Sequence, residues 1–229
     1  INSNEVLSTG ALPFSFPYFG TSYTSIRVSD NGFVSVDTGF NSATQTPEPL
    51  PSLSAADGVL AAYWADHFLW STPPSSIYFQ DMGDGRFIVQ WNDIARIFGG
   101  GFVNSNRLST FQIILHNDGT IEFQYDDLEG TVTDFTGVAI GIESGDNTTG
   151  LLLDYLGGFA KDNFAIEFTP AAEWLSFTAP AYGAADDATF DDFSVAIDAT
   201  GLGAGTYTGA ITLTSNGTGT ALTTVPVTL

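Results

Sequence analysis

The stretch "IRVSDNGFVSV" (residues 26–36) sets four turn-forming residues between two short apolar runs. If Asn31-Gly32 alone formed a two-residue type I′ turn, Val28 would face Ser35 and Ile26 would face Asp37, wasting the apolar alternation. A three-residue Asp30-Asn31-Gly32 loop, closed by a left-handed glycine and a bulge, instead brings Val28 to Val34 and Ile26 to Val36. One face of the hairpin is then apolar, and Arg27, Ser29 and Ser35 share the other. The same device recurs in "FQIILHNDGTIEFQY" (residues 111–125). An Asn117-Asp118-Gly119 loop pairs Leu115 with Ile121, Ile113 with Phe123 and Phe111 with Tyr125, leaving Gln112, Glu122 and Gln124 on the reverse face. In "IYFQDMGDGRFIVQW" (residues 77–91) a loop over Asp81 to Gly85 places Phe79 opposite Phe87 and Ile77 opposite Val89.

Strand formers and turn residues dominate the 229-residue chain, which has 25 glycines, and no window sustains a helical apolar stripe. With 43% hydrophobic and 14% aromatic residues it can build a real core. The expected class is all-β. The absence of cysteine excludes disulfides, thiolate metal sites and cysteine nucleophiles. No apolar run approaches the roughly 20 residues that span a bilayer, so membrane insertion is not expected. The start at "INSNEVL" reads as a mature or excised piece. A formal charge of −21 with five basic residues argues against nucleic acid and anionic membranes, which demand Lys/Arg patches. It suits a solvated, self-repelling surface in salt water or an extracellular setting.

All five bases precede Pro170, whereas residues 171–229 carry six acids and become rich in Thr, Ala and Gly. This shift puts a domain boundary near Thr169 to Ala172, giving an antiparallel β-sandwich over 1–170 and a smaller one over 171–229. In the latter, "FSVAIDA", "GTYTGAITLTS" and "ALTTVPVTL" alternate, directing Phe193, Val195, Ile197, Tyr207, Ile211, Leu213, Val225, Val227 and Leu229 inward. Two stretches of the first domain break the pattern. Residues 38–57 form a proline-punctuated loop, and residues 95–109, "ARIFGGGFVNSNRLS", interrupt the sheet with three glycines; such loops are functional or mobile as a rule.

The string "LPFSFPYFGTSYTSIRVSDNGFVSV", "GVLAAYWADHF", "RFIVQWNDIARI", "LSTFQIILHNDGTIEFQYDDL" and "VAIGIE" resembles a β-sandwich module of large secreted bacterial proteins. That module is often appended to extracellular subtilisin-like peptidases and is similar to the NIDO domain of nidogen-like adhesion proteins. "EWLSF" with "DATGLGAGTYTGAITLTSN" and "VPVTL" resembles the BACON-type immunoglobulin-like domain. The resemblance implies an accessory role without a reaction of its own. The second match departs from its family in the acidic "GAADDATFDD" (residues 183–192).

The chemistry agrees with that implication. His67, beside Asp66, lacks a glycine-flanked serine elbow, and His116 falls at a hairpin end as a solvated turn residue, so no catalytic histidine is assigned. Acids such as Asp66, Asp93, Asp126 and Glu143 are too numerous to mark a hydrolase pair. "DMGDG" (residues 81–85) and Asp186, Asp187, Asp191 and Asp192 match no calcium-loop spacing, so no metal or cofactor is expected. The candidate ligand-binding residues are Arg96 and Arg107, with Phe98 and Phe102 around the triple glycine, and Trp70, read as exposed before "STPPSS"; Trp91 is read as core. Three of the five bases, Arg86, Arg96 and Arg107, crowd this region, and arginine forks carboxylates and stacks on rings. The competing reading has Arg96 paired internally with an acid such as Asp93. Asn147 and Asn216 head glycosylation sequons. The function expected is a non-catalytic, secreted or cell-surface module for adhesion, substrate association or surface assembly. A carbohydrate-binding accessory module and a filament subunit joined through terminal strands are the alternatives. The partner is accordingly a polysaccharide, a surface protein or another copy.

Overall fold

Gly32 takes a φ of +80°, the left-handed conformation that closes the Asp30-Asn31-Gly32 turn. The computed structural model describes residues 7–39, 45–53, 57–71, 74–98, 102–128, 138–170, 175–178, 194–197, 206, 208–214 and 222–229. Strand β2 (Thr21–Ser29) pairs with β3 (Phe33–Ser35), Val28 opposite Val34 and Arg27 opposite Ser35, which is the three-residue-loop register. The glycine is needed twice over, because a Cβ there would sit 2.2 Å from the Tyr63 carbonyl oxygen on β4 (Val59–Trp64). Gly32 O also accepts the Tyr63 N–H at 3.1 Å, so the turn is pinned to the neighbouring strand.

The chain divides into two compact units, Ile1–Pro170 and Ala171–Leu229. In the first unit one sheet runs β1 (Leu7–Tyr18), β2, β3, β4, β10 (Ala139–Glu143), β11 (Gly150–Tyr155). The other runs β12 (Phe164–Phe168), β9 (Ile121–Asp127), β8 (Phe102–His116), β7 (Arg86–Phe98), β5 (His67–Phe68), with β6 (Ser76–Asp81) also on β7. Pro13 and Pro17 lie in β1, an edge strand, where the missing N–H costs no ladder bond on the open side. No helix occurs among the described residues, and the strand pairings described are antiparallel. The chain is therefore all-β, as its composition predicts.

The two sheets face each other across one core. Ile26, Val28, Val34, Leu60 and Ile140 from the first meet Val89, Trp91, Ile113, Leu115 and Phe123 from the second, all buried. Side-chain hydrogen bonds tie the sheets together: Trp91 Nε1 donates to Ser29 O at 2.9 Å and the Tyr125 hydroxyl to Ala62 O at 2.7 Å. The β8–β9 hairpin has the predicted register, Phe111 opposite Tyr125, Ile113 opposite Phe123 and Leu115 opposite Ile121.

Four expectations need correction. The β6–β7 hairpin pairs Phe79 with Val89 and Ile77 with Trp91, two residues out of the predicted register. Asp81 belongs to the strand, opposite Phe87, and its Oδ1 accepts the Gly83 N–H at 2.8 Å, so the turn tightens to Met82–Gly85 on two left-handed glycines. Residues 95–109 do not interrupt the sheet: β7 and β8 carry the ladder out to Phe98 opposite Phe102, absorbing bulges near Trp91 and Ala95. The proline-punctuated loop is a cover, because its Leu50 packs with Phe33, Val59, Ala61, Trp64 and Ala139 on the outer face of the first sheet. In the second unit, β13 (Leu175–Thr178) pairs with β14 (Ser194–Ile197), and β15 (Thr208–Thr214) with β16 (Leu222–Thr228). Val195, Ile197, Val225 and Leu229, expected inward, are exposed among the described residues of this unit. Phe193, Tyr207, Asn216 and residues 183–192 lie outside the described residues. "VPVTL" is taken up largely in β16 against β15 of the same chain.

Candidate functional site

The three arginines crowded in sequence are spread in space by the strand that carries two of them. Arg86 and Arg96 stand ten residues apart on β7, about 30 Å at ~3.3 Å per strand residue. Arg86 grips Asp84 at 2.7 Å beside the turn, whereas Arg96 is buried at 5% exposure, its Cα opposite His67. Arg96 is thus a core residue rather than an open fork. Phe98 and Phe102 are paired residues at the far end of the hairpin, with Arg107 farther along β8; the side chains of all three lie outside the described residues. Trp70, expected to be exposed, is half-buried, edge-on to Phe68 at 5.7 Å, with its backbone N–H donating to Ser75 Oγ at 3.0 Å.

Neither histidine is set up for proton transfer. His67 is fully buried against Tyr63 and Phe111, its ring nitrogens without hydrogen-bond partners. Burial, and then the nearby Arg96 charge, lower its pKa to about 3, so it is a neutral packing residue. His116 is not a free turn residue: Nε2 bonds Glu122 Oε1 at 2.7 Å.

That histidine opens a polar network on the outer face of the second sheet. The registers place Tyr78, Gln90, Gln112 and Gln124 in one row across β6, β7, β8 and β9. Gln112 Nε2 donates to Gln124 Oε1 at 2.8 Å, and Gln124 Nε2 to Glu122 Oε2 at 2.7 Å. An ionised Glu122 only accepts, so Gln124 must show it the amide NH₂ and turn its carbonyl toward Gln112. The carboxylate therefore fixes the direction of the whole chain. On β7, Gln90 Nε2 reaches Asn92 Oδ1 at 3.4 Å, and Asn92 Nδ2 donates to Asp93 Oδ2 at 2.9 Å.

The face is bent at this end. Asp93 has a φ of +50°, its N–H goes to Thr110 Oγ1 at 3.1 Å, and both β7 and β8 bulge here. Asn163, at a φ of +54°, borders the opposite side. The result is an open depression of about 510 Å³ lined by Gln90, Gln112, Gln124, Asp126, Asn163 and Phe164. Asp126 makes this lining acidic, and burial and then the Asp162, Asp126 and Asp93 charges raise the carboxyl of the next residue, Asp127. The alternating "FIVQW", "FQIIL" and "IEFQY" display these amides on one face; period-two patterning placed Gln112 and Gln124 there, but a glutamine carries no motif and was not singled out.

A second polar cluster is structural. Glu143, fully buried, accepts the Ser52 N–H at 2.7 Å and so clasps the covering loop to the sheet. Burial, then the Asp57 and Glu48 charges, push its carboxyl up to about 7. Asn147, head of one sequon, is buried at a φ of +57°; its Nδ2 donates to Asp57 Oδ1 at 2.7 Å and its Oδ1 accepts the Gly58 N–H at 3.2 Å. The nitrogen a glycan would need is committed inside the fold.

Alpha-tectorin of Homo sapiens and of Mus musculus are each 30% identical to the chain over 161 residues, covering 58% of this chain and 7% of that protein. The chain thus spans a small part of the curated relatives it matches. No solved structure matches it significantly. A family model described as "NIDO related" matches residues 1–185, which takes in the whole two-sheet unit with its amide face, and the chain belongs to that NIDO-related family.

Proposed function

We propose that the chain is an extracellular, non-catalytic recognition module serving adhesion or substrate association, with the outer face of the second sheet as its contact surface. The observation that carries this reading is the amide row: polar side chains oriented by a fixed hydrogen-bond chain on a rigid sheet, beside a depression of about 510 Å³. Such a surface binds without chemistry, because His67 is buried away from solvent and His116 is held by Glu122. Membership of the NIDO-related family and similarity to alpha-tectorin support an extracellular setting and partners among surface proteins or polysaccharides. Residues 171–229 serve as an immunoglobulin-like, BACON-type spacer. Phe98, Phe102 and Arg107, at the far end of the β7–β8 hairpin, form a second contact region.

The test is surface plasmon resonance of the full chain over immobilised matrix proteins and polysaccharides, beside a Gln112→Ala/Gln124→Ala variant. Binding to at least one surface, lost in the variant, is the expected result. Binding to none, or hydrolysis of a bound polysaccharide, would refute the reading.

A further inference from the structure

Resting on the recognition reading, we infer that the row Tyr78, Gln90, Gln112 and Gln124 is a binding site for an uncharged, linear glycan that runs across the strands. Three features of the row select that ligand class. The first is hydrogen-bonding capacity. Among the described residues Gln112 Oε1 and Gln90 Oε1 accept no hydrogen bond, and neither is a buried unpartnered atom, so they face solvent. Each amide NH₂ uses one N–H within the network and keeps the other for a ligand. Preset acceptors and donors side by side are the complement of neighbouring hydroxyl groups, each of which both donates and accepts.

The second feature is charge. Glu122 and Asp126 flank the row, His116 is held by Glu122, Arg86 by Asp84, and Lys161 lies over the Phe164 ring at 5.5 Å. Together with a formal charge of −21, the Glu122 and Asp126 carboxylates repel sulfated or uronic chains and leave the amides for neutral ones.

Spacing is the third. Adjacent strands stand about 4.8 Å apart, close to the length of one pyranose residue, so successive amides meet successive sugars. An extended peptide advances ~3.3 Å per residue and would fall out of step with the row. At the β6 end Tyr78, 55% exposed, supplies an aromatic ring for the apolar side of a sugar, while the depression that Gln90, Gln112 and Gln124 line receives the rest of the chain.

Isothermal titration of the full chain with cellohexaose, mannohexaose and xylohexaose tests this, with polygalacturonate as the charged comparison. At least one neutral hexasaccharide should bind. Gln112→Ala and Tyr78→Ala should each weaken it roughly tenfold, a loss of about 1.4 kcal/mol, with unchanged melting temperature. Preferential binding of polygalacturonate, or full retention of hexasaccharide binding in both variants, overturns the assignment. If no hexasaccharide binds while the chain still adheres to a matrix protein through this face, the glycan inference fails and the recognition reading stands. Failure of both kinds of binding removes both.

Discussion

Replacing Glu143 by Gln removes a buried carboxyl that clasps the Leu50–Ser52 segment to the sheet and that titrates near neutrality in the fold. Its pKa of about 7, against an ordinary 4.5, means that the folded protein binds this proton more tightly than the unfolded chain does. Stability from this group is therefore full below pH 4.5 and is lost as pH rises through 7. The shift from 4.5 to about 7 corresponds to about 3 kcal/mol at ~1.4 kcal/mol per pH unit. The amide of Glu143→Gln cannot titrate, and the exchange of one oxygen for NH₂ contributes a constant offset. The difference in unfolding free energy, variant minus wild type, should thus grow by about 3 kcal/mol in the variant's favour from pH 4 to pH 8. Urea denaturation followed by tryptophan fluorescence at pH steps across that range measures it, and taking the difference cancels the other 25 acids. A difference that stays flat with pH would refute the assignment of a protonated, buried Glu143.

His67 acts with the opposite sign. Its folded pKa of about 3 against 6.5 makes stability rise with pH between those values, so His67→Phe should remove several kcal/mol of acid lability, read from urea midpoints at pH 4 and pH 7. Gly32→Ala forces a left-handed alanine whose Cβ lies 2.2 Å from the Tyr63 carbonyl oxygen; a loss of at least about 3 kcal/mol in equilibrium unfolding is expected, and one under about 1 kcal/mol would show that the turn is not built as described. Tyr125→Phe deletes the bond to Ala62 O between the sheets and should cost about 1–2 kcal/mol in the same assay.

The hairpins were legible because glycine position and period-two alternation act locally. Asn31-Gly32 and Asp118-Gly119 each fix a turn, and a one-residue slip would have turned Val28 or Ile113 to the wrong face. The "DMGDG" turn misled by two residues, since such a slip keeps every side chain on its own face and the apolar pattern cannot detect it. Arg96 stood open between a ligand fork and an internally held residue, and the sequence could not choose because its burial goes with β5 pairing across from it, a long-range contact. The expected exposure of Trp70 failed through local contacts, with Phe68 two residues before it and Ser75 five residues after it. The amide face escaped notice because its meaning lies in cross-strand register: Gln90, Gln112 and Gln124 are far apart in sequence and become one row only when three strands are aligned.

The most direct measurement follows the glutamine side-chain amides by ¹⁵N–¹H NMR while cellohexaose, mannohexaose and xylohexaose are titrated in turn. The chain has five glutamines, of which Gln90, Gln112 and Gln124 line the depression and Gln45 lies in the covering loop, so the spectrum carries its own control. The account predicts shifts at Gln90, Gln112 and Gln124 with Gln45 unmoved. Unmoved face amides at saturating concentrations of all three, or changes confined to the backbone near Phe98 to Arg107, would contradict it.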